Sequence, residues 1–483
     1  MSNAPSAAAP LLDAAALASA GRRPPAPFRI RLAGGSELVL HQLLRVLPGK
    51  RVVGAGTDAN GERRLVKLFI GRHSERHWQR ECAGIGLLAA AGIPTPALVA
   101  AQPLAGGGHG LLTAFLDGAD TLLDGWQPLA GSAPGDAGAT VLLAPAFALL
   151  GRVHAAGLSH DDLHFGNFLR HDGRLLLIDG DAVRRHGNGP LAEKTAARDL
   201  AMLLAQLPRT WDGHLDTLLA AYRQTNPQPP GKAALARALA RERAWRLRDY
   251  LSKTGRDCTL FKMERHFDHF TAVVRTEADT LAALLAEPDR FIDAGQLLKR
   301  GNTCTVARVD LDGRPLVVKR YNIKNARHAL SRLWRPSRGW HSWREGHRLH
   351  LFGVPTPAPL ALVEERRGPL RGRAWLVSEY CAGTDLLALL DAGSEPPPAI
   401  AAALTTLFAT LHRERVSHGD LKATNLLWDG QAVQLIDLDT MRQHASPTGH
   451  ARAWAKDRAR LLRNWPADCV LHRWLDARLP PAA

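Results

Sequence analysis

The sequence predicts an α+β chain in which one fold is used twice, each copy a β-rich lobe followed by a helical lobe. Three observations predict it. First, "LSHDDLHFGNFLRHDGRLLLIDGDA" (Leu158–Ala182) recurs as "VSHGDLKATNLLWDGQAVQLIDLDT" (Val416–Thr440) at a constant offset of 258 residues. Second, upstream segments pair in the same order, "GIPTPALVA" (Gly92–Ala100) with "GVPTPAPLA" (Gly353–Ala361), and "RRLVKLF" (Arg63–Phe69) with "RPLVVKRY" (Arg314–Tyr321). Third, in both copies β-rich runs come before stretches of helical spacing.

Taken in order, residues 1–27 are an Ala/Pro-rich segment without periodicity, expected as a disordered tail. Residues 28–254 form the first domain. Its runs at Arg51–Val53 and Leu65–Phe69 flank "TDANGE", a hairpin signal. The second domain, 255–483, does the same in "TVARVDLDGRPLVVKRY", where Asp312-Gly313 makes the turn. A helix is expected before each "G-[IV]-P-T-P" entry to the next strand. "GLLTAFLDG" and "RAWLVSEYCAG" read as strands leading into a hinge, and "APAFALLGRVHAAG" and "IAAALTTLFATLHRE" as helices that run into the repeated polar motif. The first copy continues through an Ala/Leu/Arg-rich helical region, Pro190 to Tyr250, while the second ends a few turns past Asp457, so its helical lobe is the shorter.

Composition narrows the class. The 483 residues are 46% hydrophobic, enough for two domains with cores of their own. A net charge of +16 suits an anionic partner, although Arg outnumbers Lys 51 to 11, a compositional bias that weakens the inference. A nucleic-acid binder rests on charge alone, since no recognition motif is present, and no nucleic-acid partner is expected. Five scattered cysteines without a C-x-x-C pair argue against a disulfide framework or zinc site and fit a reducing compartment. The most apolar run, "ATVLLAPAFALLG" (Ala139–Gly151), is shorter than a bilayer span and carries Pro145.

The repeated stretch reads S-H-x-D-L-x-x-x-N and then I-D-x-D. Phosphoryl transfer requires a positioned triphosphate, a metal that neutralises charge, and a carboxylate for the acceptor hydroxyl, and this motif supplies carboxylates and an amide in that order. Asp162 and Asp420 stand where a base is needed. Asn167 and Asn425, five residues on, and Asp179 and Asp437, after a hairpin return, form an oxygen-rich set suited to Mg²⁺. Lys67 and Lys319 are each the lysine of an apolar strand, placed to meet phosphates, with Glu81 and Glu345 in "HWQREC" and "HSWREG" as their expected partners. Glycines for a phosphate loop are offered by "VVGAGTD" (Val52–Asp58) and "KRGNTCTV" (Lys299–Val306), neither a clean G-x-G-x-x-G. His160 and His418 read as structural, and Asp199 and Asp457 as helix residues that bond the motif backbone. Asp181 and Asp439 read equally as further metal ligands or as loop caps, and Asp161 as solvated.

Together these motifs, two protein-kinase-like bilobal domains in tandem, resemble the lipopolysaccharide core kinases, Kdo/WaaP and InaA-like members of the protein-kinase-like superfamily. The resemblance runs from about Val46 to Leu462. It implies an ATP- and Mg²⁺-dependent transfer to a heptose or Kdo hydroxyl of the lipid A–core glycolipid, at the cytoplasmic face of the inner membrane, with other core-assembly enzymes as further partners. It implies Asp162 and Asp420 as bases, and Lys67, Lys319, Asn167, Asn425, Asp179 and Asp437 as nucleotide–Mg²⁺ residues. Neither copy has the A-P-E signature of a peptide platform, and only twenty residues separate Asp179 from Asp199 and Asp437 from Asp457, which favours a non-protein acceptor. The segment Lys319–Arg348, with nine Lys or Arg against one Glu and with Tyr321, Trp334, Trp340 and Trp343 interleaved, is expected to meet an anionic membrane surface or a phosphorylated glycolipid, or else to be a solvated basic face. A soluble small-molecule phosphotransferase, a protein kinase and a pseudokinase scaffold remain as other readings.

Overall fold

The computed structural model describes residues 9–322, 336–368 and 370–481. The chain divides into two units, Met1–Ala244 and Trp245–Ala483, so the division falls ten residues before the expected domain boundary.

In the first unit, β1 (Phe28–Arg31), β2 (Glu37–Leu47), β3 (Arg51–Thr57), β4 (Arg63–Phe69), β5 (Leu98–Pro103) and β6 (His109–Ala114) form one antiparallel sheet in the order β1-β2-β3-β4-β6-β5. Alternation along β4 buries Val66 and Leu68 in the core and leaves Lys67 on the other face. The expected disordered tail is ordered in part. Within it α1 (Ala14–Ser19), capped by Asp13, buries Leu17 among the core residues of the sheet, because two apolar faces gain more by meeting than the short segment gains from freedom. Residues 1–8 of that tail lie outside the described residues. Below the sheet, the helix Ala137–Ala155 is the centre of a core that includes Leu143, Phe147, Leu150 and Val153. It is longer than its apolar run suggested, and among the described residues it is the one helix long and apolar enough to cross a membrane, with half of that window buried inside the unit.

The second unit builds a seven-stranded antiparallel sheet. A hairpin of Phe261–Arg265 and His269–Val274 forms one edge, followed by Pro359–Arg367, Leu370–Glu379, Arg314–Tyr321, Cys304–Leu311 and Gln296–Arg300. The last five strands match β5, β6, β4, β3 and β2 of the first unit in order; the hairpin has no counterpart there. Asp312 and Gly313 both take positive φ in the expected tight turn. Helix Pro398–Arg413 and helix Pro447–Leu462 pack a separate core around Leu404, Phe408 and the fully buried Trp454.

The basic, aromatic segment does not form the expected membrane-facing surface where it is described. Trp343 is wholly buried and donates to the carbonyl of Thr254 at 3.1 Å, Tyr321 is buried, and Trp340 packs edge-on against Phe270. The cations are engaged as well, Arg320 with Asp289 and Arg348 with Glu345. Alternation places these aromatics between the sheet and helix Arg338–Leu351, where their apolar area is worth more than at a solvated face. Residues 323–335, with Trp334, lie outside the described residues.

Candidate active site

The repeated motif folds on the same hydrogen-bonded frame in both units. The backbone N–H of His160 donates to Asp199 Oδ2 at 2.9 Å, and that of His418 to Asp457 Oδ2 at 2.5 Å. Each imidazole is a strut: its Nε2 meets the carbonyl of Ile178 (3.1 Å) or Ile436 (2.9 Å), while its Nδ1 accepts from the N–H of Asp162 or Asp420, at 3.3 Å in both. Asn167 and Asn425 donate their amide to the carbonyls of Asp162 and Asp420 at 2.7 and 2.9 Å, which leaves each amide oxygen directed elsewhere. The hairpin return then sets Asp179 and Asp437 in the left-handed region, φ 71° and 61°. The aspartates at 199 and 457 and the histidines are thus supports, as their positions suggested. Burial pushes the Asp457 carboxyl up, against the N–H groups that stabilise its charge.

Asp161 is not simply solvated: Arg184 and Arg198 pair with it at 3.1 and 3.0 Å. "VVGAGTD" is not a loop either. Val52 to Thr57 lie inside β3, and Gly54 and Gly56 are needed because a Cβ there would stand 2.5 and 2.3 Å from the carbonyl oxygens of Gln42 and Val39. The corresponding turn is Pro48–Lys50, and in the second unit Gly301–Thr303, inside the expected "KRGNTCTV".

The lysines diverge. In the first unit Lys67 pairs with the buried Glu81 on α2 (Ser74–Ala90). Glu81 also accepts from the N–H groups of Gly180 (3.3 Å) and Asp181 (3.1 Å), so one carboxylate ties the lysine strand to the Asp179 turn. This approach needs glycine on both sides: a Cβ on Gly84 would lie 2.0 Å from the carbonyl oxygen of Gly180, and one on Gly180 2.5 Å from that of Glu81.

In the second unit Glu345 does not meet Lys319; it pairs with Arg348 at 2.8 Å. Helix register is the reason. Both helices end alike, Ile93 N–H on Leu88 and Val354 N–H on Leu349, so here the offset is 261 residues. On that offset Glu81 corresponds to Ser342, and Glu345 to Gly84. Two further contacts fix the register: His77 and Arg338 both pair with the second aspartate of I-D-x-D, Asp181 and Asp439, while Arg80 and His341 both bond carbonyls of the following turn, those of Asp181 (2.9 Å) and Met441 (2.7 Å). Lys319 instead bonds Asp437 at 2.6 Å and Asp439 at 2.9 Å. Asp439, 6% exposed, also accepts from Ser342 (2.8 Å) and Tyr321 (2.7 Å). It is neither a loop cap nor free for a metal. Burial works against its charge, but Lys319 and Arg338 outweigh this and hold its carboxyl below the usual range. Burial likewise opposes the charge of Lys319, yet Tyr321, Asp439 and Asp437 together push its pKa well up. The sequence signal for this register was the distance to the G-[IV]-P-T-P anchor: Glu81 stands eleven residues before Gly92, and Glu345 only eight before Gly353.

The two motif aspartates, Asp162 and Asp420, also differ in surroundings. Asp420 pairs with Lys422 (2.9 Å) and with Arg460. Burial raises its pKa, and the two cations overcome this and lower it. At the same places the first unit has His164 and Met202; burial lowers the pKa of His164, which favours the neutral ring. A cavity of about 440 Å³ in the second unit is lined by Lys319, Tyr321, Ser342, Asn425, Asp437 and Asp439, and on its apolar side by Leu376 and Tyr380.

Magnesium fits the first unit. Asp179 Oδ1 is buried without a hydrogen-bond partner, the nearest cation being Arg51 at 3.9 Å, and the Asn167 amide oxygen is the second donor. Two protein oxygens with phosphate and water completing the shell is how Mg²⁺ is commonly held. No cluster of three or more His, Cys, Asp or Glu able to hold a metal occurs among the described residues. In the second unit Asp437 Oδ1 accepts from Lys319 instead.

Residues 283–474 match the model of the Lipopolysaccharide kinase (Kdo/WaaP) family. Among solved structures, WaaP in complex with acyl carrier protein is 22% identical, over 44% of this chain and 88% of its own, at a TM-score of 0.33. A PknI kinase domain from Mycobacterium tuberculosis is 18% identical over 37% of this chain and 74% of its own (TM-score 0.27), and a rhoptry antigen kinase domain from Toxoplasma gondii 15% identical over 50% and 90% (TM-score 0.30). No curated protein matches the chain. The matched family is one of phosphotransferases that act on sugar hydroxyls. The likeness to the lipopolysaccharide kinase (Kdo/WaaP) family thus lies in residues 283–474, which make up most of the second unit.

Proposed function

We propose that the chain is a tandem kinase whose two units each transfer the γ-phosphoryl group of ATP to a heptose or Kdo hydroxyl of the lipid A–core glycolipid. The observation that carries the reading is the recurrence, at one offset, of the same hydrogen-bonded frame around Asp162–Asn167–Asp179 and Asp420–Asn425–Asp437. In each unit the acceptor oxygen forms a bond to the γ-phosphorus as the bond to the β–γ bridging oxygen breaks. ADP leaves with that electron pair, and the hydroxyl proton passes to Asp162 or Asp420. Lys67 and Lys319 would hold the phosphates; Asn167 with Asp179, and Asn425 with Asp437, would hold Mg²⁺, which would supply charge neutralisation. A glycolipid acceptor sets the chain at the cytoplasmic face of the inner membrane, although the described part of Lys319–Arg348 lends that location no support.

The test is transfer of labelled γ-phosphate to dephosphorylated lipid A–core by the full chain and by Asp162→Asn, Asp420→Asn and the double variant. Label lost from a different sugar position in each single variant, and from all positions in the double, supports two working units. Label insensitive to one substitution makes that unit a passenger. No label on glycolipid with any form refutes the core-kinase reading.

A further inference from the structure

The two cations on Asp420 are a problem for a base. Lys422 takes one carboxylate oxygen and Arg460 the other, so each oxygen that an acceptor hydroxyl would approach already carries a cation. Both cations are well exposed, at 46% and 41%, and ion pairs this solvated add little to stability. They therefore need another reason to stand at this carboxylate. Lys422 belongs to the motif loop itself, two residues from Asp420. Arg460 comes from a separate element, helix Pro447–Leu462, and its position in the first unit is filled by Met202.

We propose that Arg460 forms an anion-binding acceptor subsite specific to the second unit, which takes a sugar carrying a phosphate or carboxylate beside the reacting hydroxyl. The inference rests on the phosphotransferase reading above and adds the charge of the acceptor to it. The acceptor's anion gives Arg460 a new partner, and a guanidinium suits both phosphate and carboxylate through paired N–H donors. As Arg460 turns to that anion, Asp420 Oδ1 is released toward the hydroxyl. Binding of the correct acceptor thus uncovers the base, and a neutral sugar leaves it covered. The first unit, with neutral groups at both places, makes no such demand. It follows that the second unit acts on a sugar that already bears its negative charge: a carboxylated residue, or the product of an earlier phosphorylation.

The test uses the full chain carrying Asp162→Asn, so that label reports the second unit. Three acceptors are compared: lipid A–core from cells lacking this chain, the same material dephosphorylated with hydrofluoric acid, and the same material with its carboxyl groups reduced. Loss of the recognised anion should lower kcat/KM about tenfold or more, the scale of one charge-assisted contact. The treatment that does so identifies phosphate or carboxylate as the source. Arg460→Met should erase the preference mainly through KM, and Arg460→Lys should keep part of it. Equal efficiency on all three acceptors overturns the inference and leaves the kinase reading standing, as does a preference that persists in Arg460→Met. Absence of label on every acceptor overturns both. Should Arg460→Met fail to fold, the three-acceptor comparison in the parent chain decides alone.

Discussion

Lys67 and Lys319 occupy the same place in their sheets, yet different elements supply their counter-charge. In the first unit it comes from a helix, through Glu81; in the second it comes from the I-D-x-D turn, through Asp437 and Asp439. The difference follows from two small residues. Gly84 and Gly180 let α2 close on its turn, whereas the corresponding positions hold Glu345 and Leu438, and Ser342 stands where Glu81 would be. A buried ammonium requires a carboxylate, but not one from a particular strand or helix. The comparison also shows that the unit matching the kinase family is the one whose lysine departs from the helix-glutamate arrangement.

The comparison can be broken most sharply at Asp162 and Asp420, the proposed bases. Asp162→Asn and Asp420→Asn should each reduce transfer by their own unit by about 10²- to 10⁴-fold, measured by site-resolved label on the glycolipid. An equal loss at both positions from one substitution would mean that the units do not work separately. Next in size is packing. Trp343→Ala removes a fully buried ring and should destabilise the second unit by about 3–5 kcal/mol, seen in chemical denaturation, with the first unit's transition unmoved. A near-neutral result would return Trp343 to an exposed, membrane-facing role.

A rescue sharpens the comparison further. Asp439→Asn should weaken nucleotide binding by the second unit about tenfold, because Lys319 and Arg338 lose a shared charge-assisted partner. Adding Ser342→Glu to that variant places a carboxylate where Glu81 stands in the first unit and should recover part of the loss. The smallest effect is on acid stability. The depressed pKa of Asp439 gives stability that is present above the ordinary aspartate value of about 4 and is lost as pH falls through the lower, folded-state value. Melting temperature of the second unit should therefore fall more steeply below about pH 4 in the parent chain than in Asp439→Asn.

Much of this site was legible in the sequence because no insertion separates its parts: from Ser159 to Asp199 and from Ser417 to Asp457 one offset holds, so the loop, its amide, its second aspartate and its supporting helix could be read together. The lysine strands were legible from the run of apolar residues around them. The helix register was not, since W-x-x-E and W-R-E patterns look alike while the longer connection after Lys319 shifts the count. From the sequence Asp439 reads equally as a metal ligand or a loop cap, because its partners, Lys319 and Arg338, are a hundred or more residues distant. Arg460 carried no signal at all: one arginine on an arginine-rich helix becomes notable only when its side chain reaches Asp420. The hairpin Phe261–Val274 and the ordered α1 were likewise set by what they pack against.

The measurement that bears most directly on the account is calorimetric titration of the full chain with Mg²⁺·ATP, comparing the parent with Glu81→Gln, Glu345→Gln and Asp439→Asn. Two sites are predicted in the parent and in Glu345→Gln, with one of them weakened in Glu81→Gln and the other in Asp439→Asn. If Glu345→Gln weakens a site and Asp439→Asn does not, Lys319 is held by the helix glutamate after all, and the difference between the two units disappears.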